Sequence, residues 1–155
     1  MKRILMVCLG NICRSPLAEG ILQSKLSSKD FFVDSAGTAA YHIGESPDQR
    51  SIKVAKKYGI DLTNQRASQF TSEDFLKFDL IYAMDKQNYQ NICSLAKGDS
   101  EIKKVRMILN EKNSQLNHSV PDPYYGGDDG FENVYQMLDE VCELIAKRLI
   151  QQTLI

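Results

Sequence analysis

Short apolar runs alternate with longer stretches of helical period along this chain of 155 residues. The first run, from Ile4 to Cys8, contains no charged residue and gives way to Gly10 and Asn11, which is typical of a parallel strand buried on both faces. Apolar residues predict three further strands, at 31–35, 78–84 and 102–109. The chain therefore carries four predicted strands separated by segments long enough to hold helices.

Apolar residues at helical spacing fill most of these segments. The first helix is expected to have Ser15 as its N-cap and Pro16 at its first helical position, and to end near Leu26. Two more helices are predicted at 47–58, before Gly59, and at 85–95. After a polar loop at 110–130, the last helix is marked by an apolar stripe of Phe131, Val134, Tyr135, Leu138, Val141, Cys142, Ile145 and Leu149.

This alternation of strands and helices predicts an α/β fold with three layers, α/β/α, in which helices cover both faces of an open parallel sheet. No repeat, low-complexity segment or linker divides the chain, so residues 1–155 are expected to form a single domain. Ligands of such sheets bind beyond the carboxyl ends of the strands. Cys8, Asp85 and Asp122 all follow predicted strands and are expected at that edge, Asp85 chiefly as a helix cap.

Composition narrows the class of protein. A hydrophobic share of 43%, a charged share of 25% and a net charge of −1 are ordinary for a globular protein and argue against a partner that is a nucleic acid or an anionic membrane. The N-terminal apolar run is too short for a signal-peptide core, and no segment approaches the length of a bilayer span. We therefore expect a cytoplasmic protein whose thiols are reduced.

The stretch VCLGNICRSP, residues 7–16, raises three possibilities: a redox pair, half of a metal site, or a cradle for an anion. Its short turn from strand to helix aims consecutive backbone N–H groups inward, and the helix dipole adds positive potential. A tetrahedral oxyanion such as phosphate, sulfate or vanadate would fit there. The cradle consists of Leu9, Gly10, Asn11, Ile12, Cys13, Arg14 and Ser15.

Two charged or reactive groups give this cradle its chemistry. Arg14, at the rim, can hold two oxygens of a phosphoryl group through its planar guanidinium. Cys8 lies at the base, where the surrounding donors favour a thiolate over a thiol. Ser15 is placed to donate a hydrogen bond to that sulfur. An activated sulfur inside an anion cradle predicts covalent phosphoryl transfer.

A departing ester oxygen needs a proton, and the PDPYYGG stretch offers a carboxylic acid to supply it. Asp122 lies between Pro121 and Pro123, whose rings restrict where the carboxyl group can point. Tyr124 and Tyr125 follow and suggest walls for a flat substrate. Taken alone, the same residues would describe an Asx-Pro turn with two surface tyrosines.

Residues 8–15, CLGNICRS, and the later DPYYGG resemble the low-molecular-weight protein tyrosine phosphatases, as do DSAGTAAYHIGE in the middle and AMD after the third strand. The resemblance covers nearly the whole chain. It implies a four-stranded parallel sheet of flavodoxin-like topology and an enzyme that hydrolyses phosphotyrosine through a phosphocysteine, without metal or cofactor. By this resemblance Cys8 is the nucleophile, Arg14 binds phosphate, and Asp122 is first the general acid and then the base that activates water.

The resemblance also implies supporting residues. Asn11 and Ser15 would hold the loop, and Ser35 would assist through a hydrogen bond to Asn11. The substrate cleft would be lined by Leu9, Tyr41, Tyr124 and Tyr125. Many relatives carry histidine where Gln65 stands, so an amide is expected to replace an imidazole in supporting the loop. Cys13 would trap an oxidised Cys8 as a reversible disulfide.

Other functions remain as alternatives. Thioredoxin-coupled arsenate reductases of this fold need a closely spaced downstream pair of cysteines, whereas Cys93 and Cys142 stand alone and are expected in the core. Protein-arginine phosphatases carry a similar loop that resembles CTGNTCRS. In this chain the position of its second threonine is the apolar Ile12, which favours an aromatic leaving group. A phosphate-binding or phosphotyrosine-binding module would lack the nucleophile or the acid.

No pair of cysteines or histidines has zinc-site spacing, so no metal is expected. His42 and His118 are assigned no catalytic part. We expect a monomer.

Overall fold

The computed structural model of this chain describes residues 1–113, 116–124 and 127–153. A four-stranded parallel sheet lies at its centre, with strand order β2-β1-β3-β4. The strands are β1 (Lys2–Cys8), β2 (Phe31–Gly37), β3 (Leu80–Ala83) and β4 (Val105–Met107). The helices are α1 (Arg14–Ser24), α2 (Gln49–Lys57), α3 (Asp74–Lys77), α4 (Lys86–Cys93), α5 (Asp99–Ile102) and α6 (Gly127–Thr153), and a 3₁₀ turn spans Ile108–Glu111.

The two faces of the sheet bury separate hydrophobic clusters. On one face, α1 and α6 pack over Ile4 and Met6 of β1. On the other face, Leu5 and Val7 pack with the aromatic rings around α3 and with Ile92 of α4. Residues 4–7 are all at most 1% exposed, because successive side chains of a strand point to opposite faces and both faces are covered. The three-layer α/β/α prediction is confirmed.

Three predicted elements have other bounds in the structure. The N-cap of α1 is Cys13 and not Ser15, because the Ser15 hydroxyl turns inward to the loop instead of capping a backbone N–H. The strand predicted at 102–109 shrinks to β4, since Ile102 ends α5 and the 3₁₀ turn begins at Ile108. The last helix begins at Gly127, inside the predicted loop.

The parallel arrangement sets where a site can form. Every strand of the sheet runs in the same direction, so the loops after β1 and β3 emerge at one edge. The segment before α6 reaches the same edge, where the N–H of Val120 bonds to the carbonyl of Met84. In the described parts of the chain, no helix combines the length and apolar character that crossing a membrane requires.

Candidate active site

The loop between β1 and α1 is held in shape by the side chain of Asn11. Asn11 is buried and has a φ of 57°, a left-handed conformation that asparagine tolerates better than most residues. Its Nδ2 donates to Ser15 Oγ at 2.8 Å and to Ser35 Oγ at 2.9 Å, and its Oδ1 accepts from the N–H of Ser68 at 2.9 Å. The expected contact between Asn11 and Ser35 is therefore present.

The end of β2 supports the same loop through a close backbone approach. A Cβ atom at Gly37 would lie 2.7 Å from the carbonyl oxygen of Leu9 and 3.1 Å from the N atom of Asn11. The backbone just beyond it donates to the loop, from Thr38 to the carbonyl of Cys8 and from Ala39 to that of Leu9, both at 2.9 Å. Gly37 is a supporting residue that the sequence reasoning missed, although the pattern SAG after a strand could have indicated it.

Cys8 lies at the base of the loop with its sulfur next to a hydroxyl group. Cys8 Sγ is 3.0 Å from Ser15 Oγ, and both residues are buried. Ser15 Oγ accepts a hydrogen bond from Asn11, and its own proton can go to the sulfur or to the carbonyl of Ala36 at 3.5 Å. The expected contact between the Ser15 hydroxyl and the Cys8 sulfur is therefore present.

Arg14 is 4% exposed and is held from two sides. Its Nη1 donates to Asp85 Oδ2 at 2.6 Å and to the carbonyl of Val120 at 3.0 Å. The other carboxylate oxygen of Asp85 accepts from the N–H of Asn88 at 2.8 Å, so the expected helix cap is also present. The contact of Asp85 with Arg14 was not predicted. The position of an acid at the end of the neighbouring strand is the signal that could have revealed it.

Asp122 faces Arg14 across the cleft. Its Oδ2 is 3.9 Å from Arg14 Nη2, and its Oδ1 accepts from the N–H of Tyr124 at 3.0 Å. The carboxyl group is 44% exposed, and Pro123 behind it is buried. The Asx turn expected of this loop is therefore present, and it fixes one carboxylate oxygen while the other lies toward Arg14.

These residues surround a cleft of about 260 Å³, lined by Cys8, Leu9, Gly10, Ile12, Cys13, Arg14, Tyr41, His42, Asp122 and Tyr124. Leu9, Tyr41 and Tyr124 thus lie where they were predicted, and each is at least 40% exposed. Arg50 of α2 stacks over the Tyr124 ring, with 5.4 Å from its Cζ atom to the ring centroid. The predicted cleft residue Tyr125 lies outside the described residues.

Cys13 lines the cleft as a buried, unbonded thiol. Burial, with a contribution from the Asp48 carboxylate, raises the pKa of Cys13 to about 12, so this thiol stays protonated at neutral pH. Cys142 and Cys93 lie in or against the two hydrophobic clusters, as predicted. Within the described residues, no three His, Cys, Asp or Glu side chains are grouped to hold a metal ion.

Gln65 supports the first turn of α1 and does not contact Asn11. Its Nε2 donates to the carbonyl of Pro16 at 3.1 Å, while its Oε1 is buried without a hydrogen-bond partner. The loop asparagine is held by the backbone of Ser68 instead. The side-chain amide of Gln65 therefore supports Pro16, which follows the loop, and makes no hydrogen bond to the loop side chains.

Comparison with known proteins gives consistent matches over almost the full length. The sequence profile of the family described as "Low molecular weight phosphotyrosine protein phosphatase" matches residues 3–154. The protein of that name from Schizosaccharomyces pombe is 41% identical over 152 residues, which cover 95% of this chain and 96% of the relative.

Two solved structures are also similar. A protein tyrosine phosphatase from Entamoeba histolytica, with Hepes in its active site, superposes with a TM-score of 0.91 at 34% identity and covers 99% of both chains. Wzb from Vibrio vulnificus, in complex with benzylphosphonate, gives a TM-score of 0.84 at 34% identity over 95% of this chain and 98% of that one. The sequence comparison and the structural comparison therefore both give matches over at least 95% of this chain.

Proposed function

This chain belongs to the low molecular weight phosphotyrosine protein phosphatase family, and on that premise we propose that it hydrolyses phosphotyrosine in proteins or peptides through a phosphocysteine on Cys8. The observation that carries the proposal is the meeting of a thiol, a guanidinium and a carboxyl group in one cleft, from Cys8, Arg14 and Asp122. Each group has a role in cleaving a phosphate ester, and no further group is required.

The phosphoryl group binds in the loop. Backbone N–H groups between Leu9 and Ser15 and the N-terminus of α1 offer donors and positive potential to its oxygens. Arg14 is clamped at Nη1 by Asp85 and Val120, so Nε and Nη2 remain to bind two phosphoryl oxygens. Phosphate, sulfate and vanadate are expected to compete for the same position, because all three are tetrahedral oxyanions.

The first step transfers the phosphoryl group to sulfur. The Cys8 thiolate attacks phosphorus while the bond from phosphorus to the tyrosine oxygen breaks, and Asp122 gives its proton to that oxygen. In the second step water attacks phosphorus, the sulfur–phosphorus bond breaks, and Asp122 takes the proton from the water. Ser15 donates a hydrogen bond to the departing thiolate and so stabilises it.

The cleft walls favour an aromatic leaving group. Tyr41 and Tyr124 line the cleft with large exposed areas, and Ile12 adds an apolar, partly buried side chain to the same lining. A flat tyrosine ring can pack against these groups, whereas the guanidinium nitrogens of a phosphoarginine would meet no polar partner at Ile12.

Cys13 is placed to protect the nucleophile Cys8 from irreversible oxidation. If peroxide oxidises the Cys8 thiolate to a sulfenic acid, the Cys13 thiol can attack it, forming a disulfide and releasing water. Both thiols are free, buried and line one cleft, which supports this role. Thiols that must remain reduced between such events suit a cytoplasmic location. The Cys13→Ser variant should recover less activity than the wild type when peroxide treatment is followed by dithiothreitol.

The decisive experiment measures phosphate release from matched phosphotyrosine and phosphoarginine peptides in the presence of a metal chelator. Faster release from phosphotyrosine is expected, and the Cys8→Ser variant should release none while still binding phosphate. Faster release from phosphoarginine would assign the chain to the protein-arginine phosphatases. No release from either peptide, together with thioredoxin-dependent consumption of arsenate, would assign it to the reductases.

A further inference from the structure

Two walls of the substrate cleft come from distant parts of the chain, and the start of α2 contacts both of them. Ile12 belongs to the loop after β1, and Tyr124 belongs to the loop that carries Asp122. The N–H of Asp48 donates to the carbonyl of Ile12 at 2.8 Å. The Cζ atom of Arg50 lies 5.4 Å from the centroid of the Tyr124 ring. Asp48 and Arg50 therefore connect one wall of the cleft to the other.

Asp48 fixes the orientation of the Arg50 guanidinium. Asp48 is the N-cap of α2, and its Oδ1 accepts from the backbone N–H of Arg50 at 2.8 Å. The same carboxylate accepts two further hydrogen bonds, from Arg50 Nε to Oδ1 and from Arg50 Nη2 to Oδ2, both at 3.0 Å. Two parallel hydrogen bonds define the plane of a guanidinium as well as its position. The side chain of Asp48 is only 12% exposed, so the pair is partly shielded from solvent.

The guanidinium that is held in this way contacts two aromatic rings. Its Cζ atom is 4.5 Å from the centroid of the Phe131 ring, on α6, and 5.4 Å from that of the Tyr124 ring. Phe131 is 1% exposed and belongs to the core, whereas Tyr124 is 40% exposed. A cation over the face of an aromatic ring is attracted by that ring. Arg50 thus joins an exposed ring of the cleft to a ring that is fixed in the core.

Arg50 acts on the Tyr124 ring and not on the substrate or the acid. It does not line the substrate cleft, but lines a neighbouring cavity of about 270 Å³ together with Phe131. The backbone of Tyr124 is held separately, because its N–H donates to Asp122 Oδ1. An effect of Arg50 on a bound substrate ring is therefore expected to pass through the side chain of Tyr124.

We propose that Arg50 is a positioning residue that strengthens the preference for aromatic phosphate esters, by holding the Tyr124 ring in place as a wall of the cleft. This inference rests on the proposed function, because the wall matters only for a substrate that carries a ring. A ring that is already held does not have to be ordered when the substrate binds, so more of the packing energy becomes affinity. Inorganic phosphate contacts the loop and Arg14 and gains nothing from this wall.

The test compares two ligands in the wild type and in Arg50→Met, which keeps a long side chain but loses its charge and its hydrogen bonds. Phenylphosphonate carries a ring beside its phosphorus atom, and inorganic phosphate carries none. Titrations followed by NMR should show that phenylphosphonate binds about three- to tenfold more weakly to the variant, the range of one ring contact. Phosphate should bind within about twofold of its affinity for the wild type.

Two results of this comparison would overturn the proposal. Equal weakening of both ligands would mean that the substitution deforms the loop after β1 and does not act on the wall. Unchanged binding of both ligands would mean that the Tyr124 ring does not depend on Arg50. Lys56→Met is the matched control, because it removes a positive charge from an exposed position of α2 that lines a different cavity, and it should bind both ligands as the wild type does.

A double-mutant comparison tests whether Arg50 acts through Tyr124. In a Tyr124→Leu background the aromatic wall is absent, so adding Arg50→Met should change phenylphosphonate binding by less than about 1.5-fold. A loss as large as in the wild-type background would show that Arg50 acts on the ligand directly, which would overturn the proposal.

Arg50→Lys separates charge from orientation. Lysine keeps the positive charge but cannot make two parallel hydrogen bonds to Asp48, so the variant should lose most of the preference for phenylphosphonate over phosphate. A lysine variant that binds both ligands as the wild type does would assign the preference to charge alone and would overturn the positioning role.

Binding is measured without turnover, so the inference and the proposed function can fail separately. In an active enzyme, Arg50→Met should raise KM for phenyl phosphate by the same factor as it weakens phenylphosphonate, with kcat within about twofold, because the turn that holds Asp122 is kept. A loss of phenylphosphonate binding alone, in a protein that releases no phosphate from phosphotyrosine, would support the role of Arg50 and reject the proposed function alone.

Discussion

At the scale of single residues, the two carboxylate oxygens of Asp122 have different surroundings: one accepts a hydrogen bond within its own loop, and the other lies toward the cleft. Asp122 uses Oδ1 to accept from the N–H of Tyr124 and turns Oδ2 toward Arg14. An asparagine can keep the first contact, because its amide oxygen is also an acceptor, but it has no proton to give to an ester oxygen. The two roles of Asp122 can therefore be tested apart.

The Asp122→Asn variant should slow the hydrolysis of aryl phosphates with poor leaving groups by about 10²–10⁴-fold, the usual contribution of a general acid. Aryl phosphates with good leaving groups should lose far less, since their oxygens depart without a proton. The measurement is kcat/KM across a series of substituted phenyl phosphates. Equal losses along the series would remove Asp122 from the role of acid. Asp129→Asn, at an exposed position of α6, is the control and should behave as the wild type.

Two side chains illustrate why some of the site could be predicted from sequence and some could not. Cys8 and Arg14 are close along the chain, so the spacing of one short loop predicts that they share a ligand. Asp85 is 71 residues from Arg14, and only the pairing of β1 with β3 brings its carboxylate to 2.6 Å from the guanidinium. The sequence could place Asp85 at the correct edge of the sheet but could not determine its partner.

At the scale of elements, the strands and helices that were predicted well are those with a strong local signal. β1 is apolar throughout because both of its faces are covered, and the stripe of α6 repeats over many turns. The helices α3 and α5 have only four residues each and carry no such pattern, so they were missed. The start of α1 was misplaced because the hydroxyl of Ser15 serves the site and not the helix.

The contact between the end of β2 and the loop gives a prediction at this scale. Gly37→Ala would place a Cβ atom 2.7 Å from the carbonyl oxygen of Leu9, a backbone atom that can move only if the loop moves. We expect kcat/KM for an aryl phosphate to fall by at least about tenfold, because displaced N–H donors no longer match the phosphoryl oxygens. The free energy of unfolding should fall by about 1–3 kcal/mol, as is usual for overpacking.

Gly98→Ala is the matched control for this substitution. An added Cβ at Gly98 meets nothing within 4 Å, and the backbone there is extended, with a φ of 173°. Activity and stability should therefore match the wild type. If both alanine variants kept full activity, the close approach of β2 would have no part in shaping the loop.

At the scale of the whole molecule, the site connects parts of the fold that are distant in sequence. The loop after β1 is supported by β2 through Gly37 and by the segment before β3 through Ser68, while Arg14 is held by α4 and by the segment before α6. One of these supports has a cost in stability, because Ser35, which bonds to Asn11, also donates to the carboxyl group of Glu19 on α1, whose burial disfavours its charged form. The ionisation of Glu19 therefore affects the free energy of unfolding.

The sign of this stability effect follows from the two pKa values of Glu19, about 7 in the folded protein against 4.5 when exposed. Between these values the folded state binds the proton more strongly than the unfolded state, so stability falls as pH rises. The loss is nearly complete above about pH 8 and is at most about 3 kcal/mol, given 1.36 kcal/mol for each pKa unit. Below about pH 4 both states are protonated and Glu19 makes no such contribution.

Chemical denaturation of the wild type and of Glu19→Gln between pH 4.5 and 8.5 measures this contribution directly. The variant lacks the titrating group, so its stability relative to the wild type should increase with pH by up to about 3 kcal/mol, with most of the change between pH 5 and 7. Glu73→Gln, at an exposed position before α3, should show no such change. A relative stability that is constant with pH would mean that folding does not perturb Glu19.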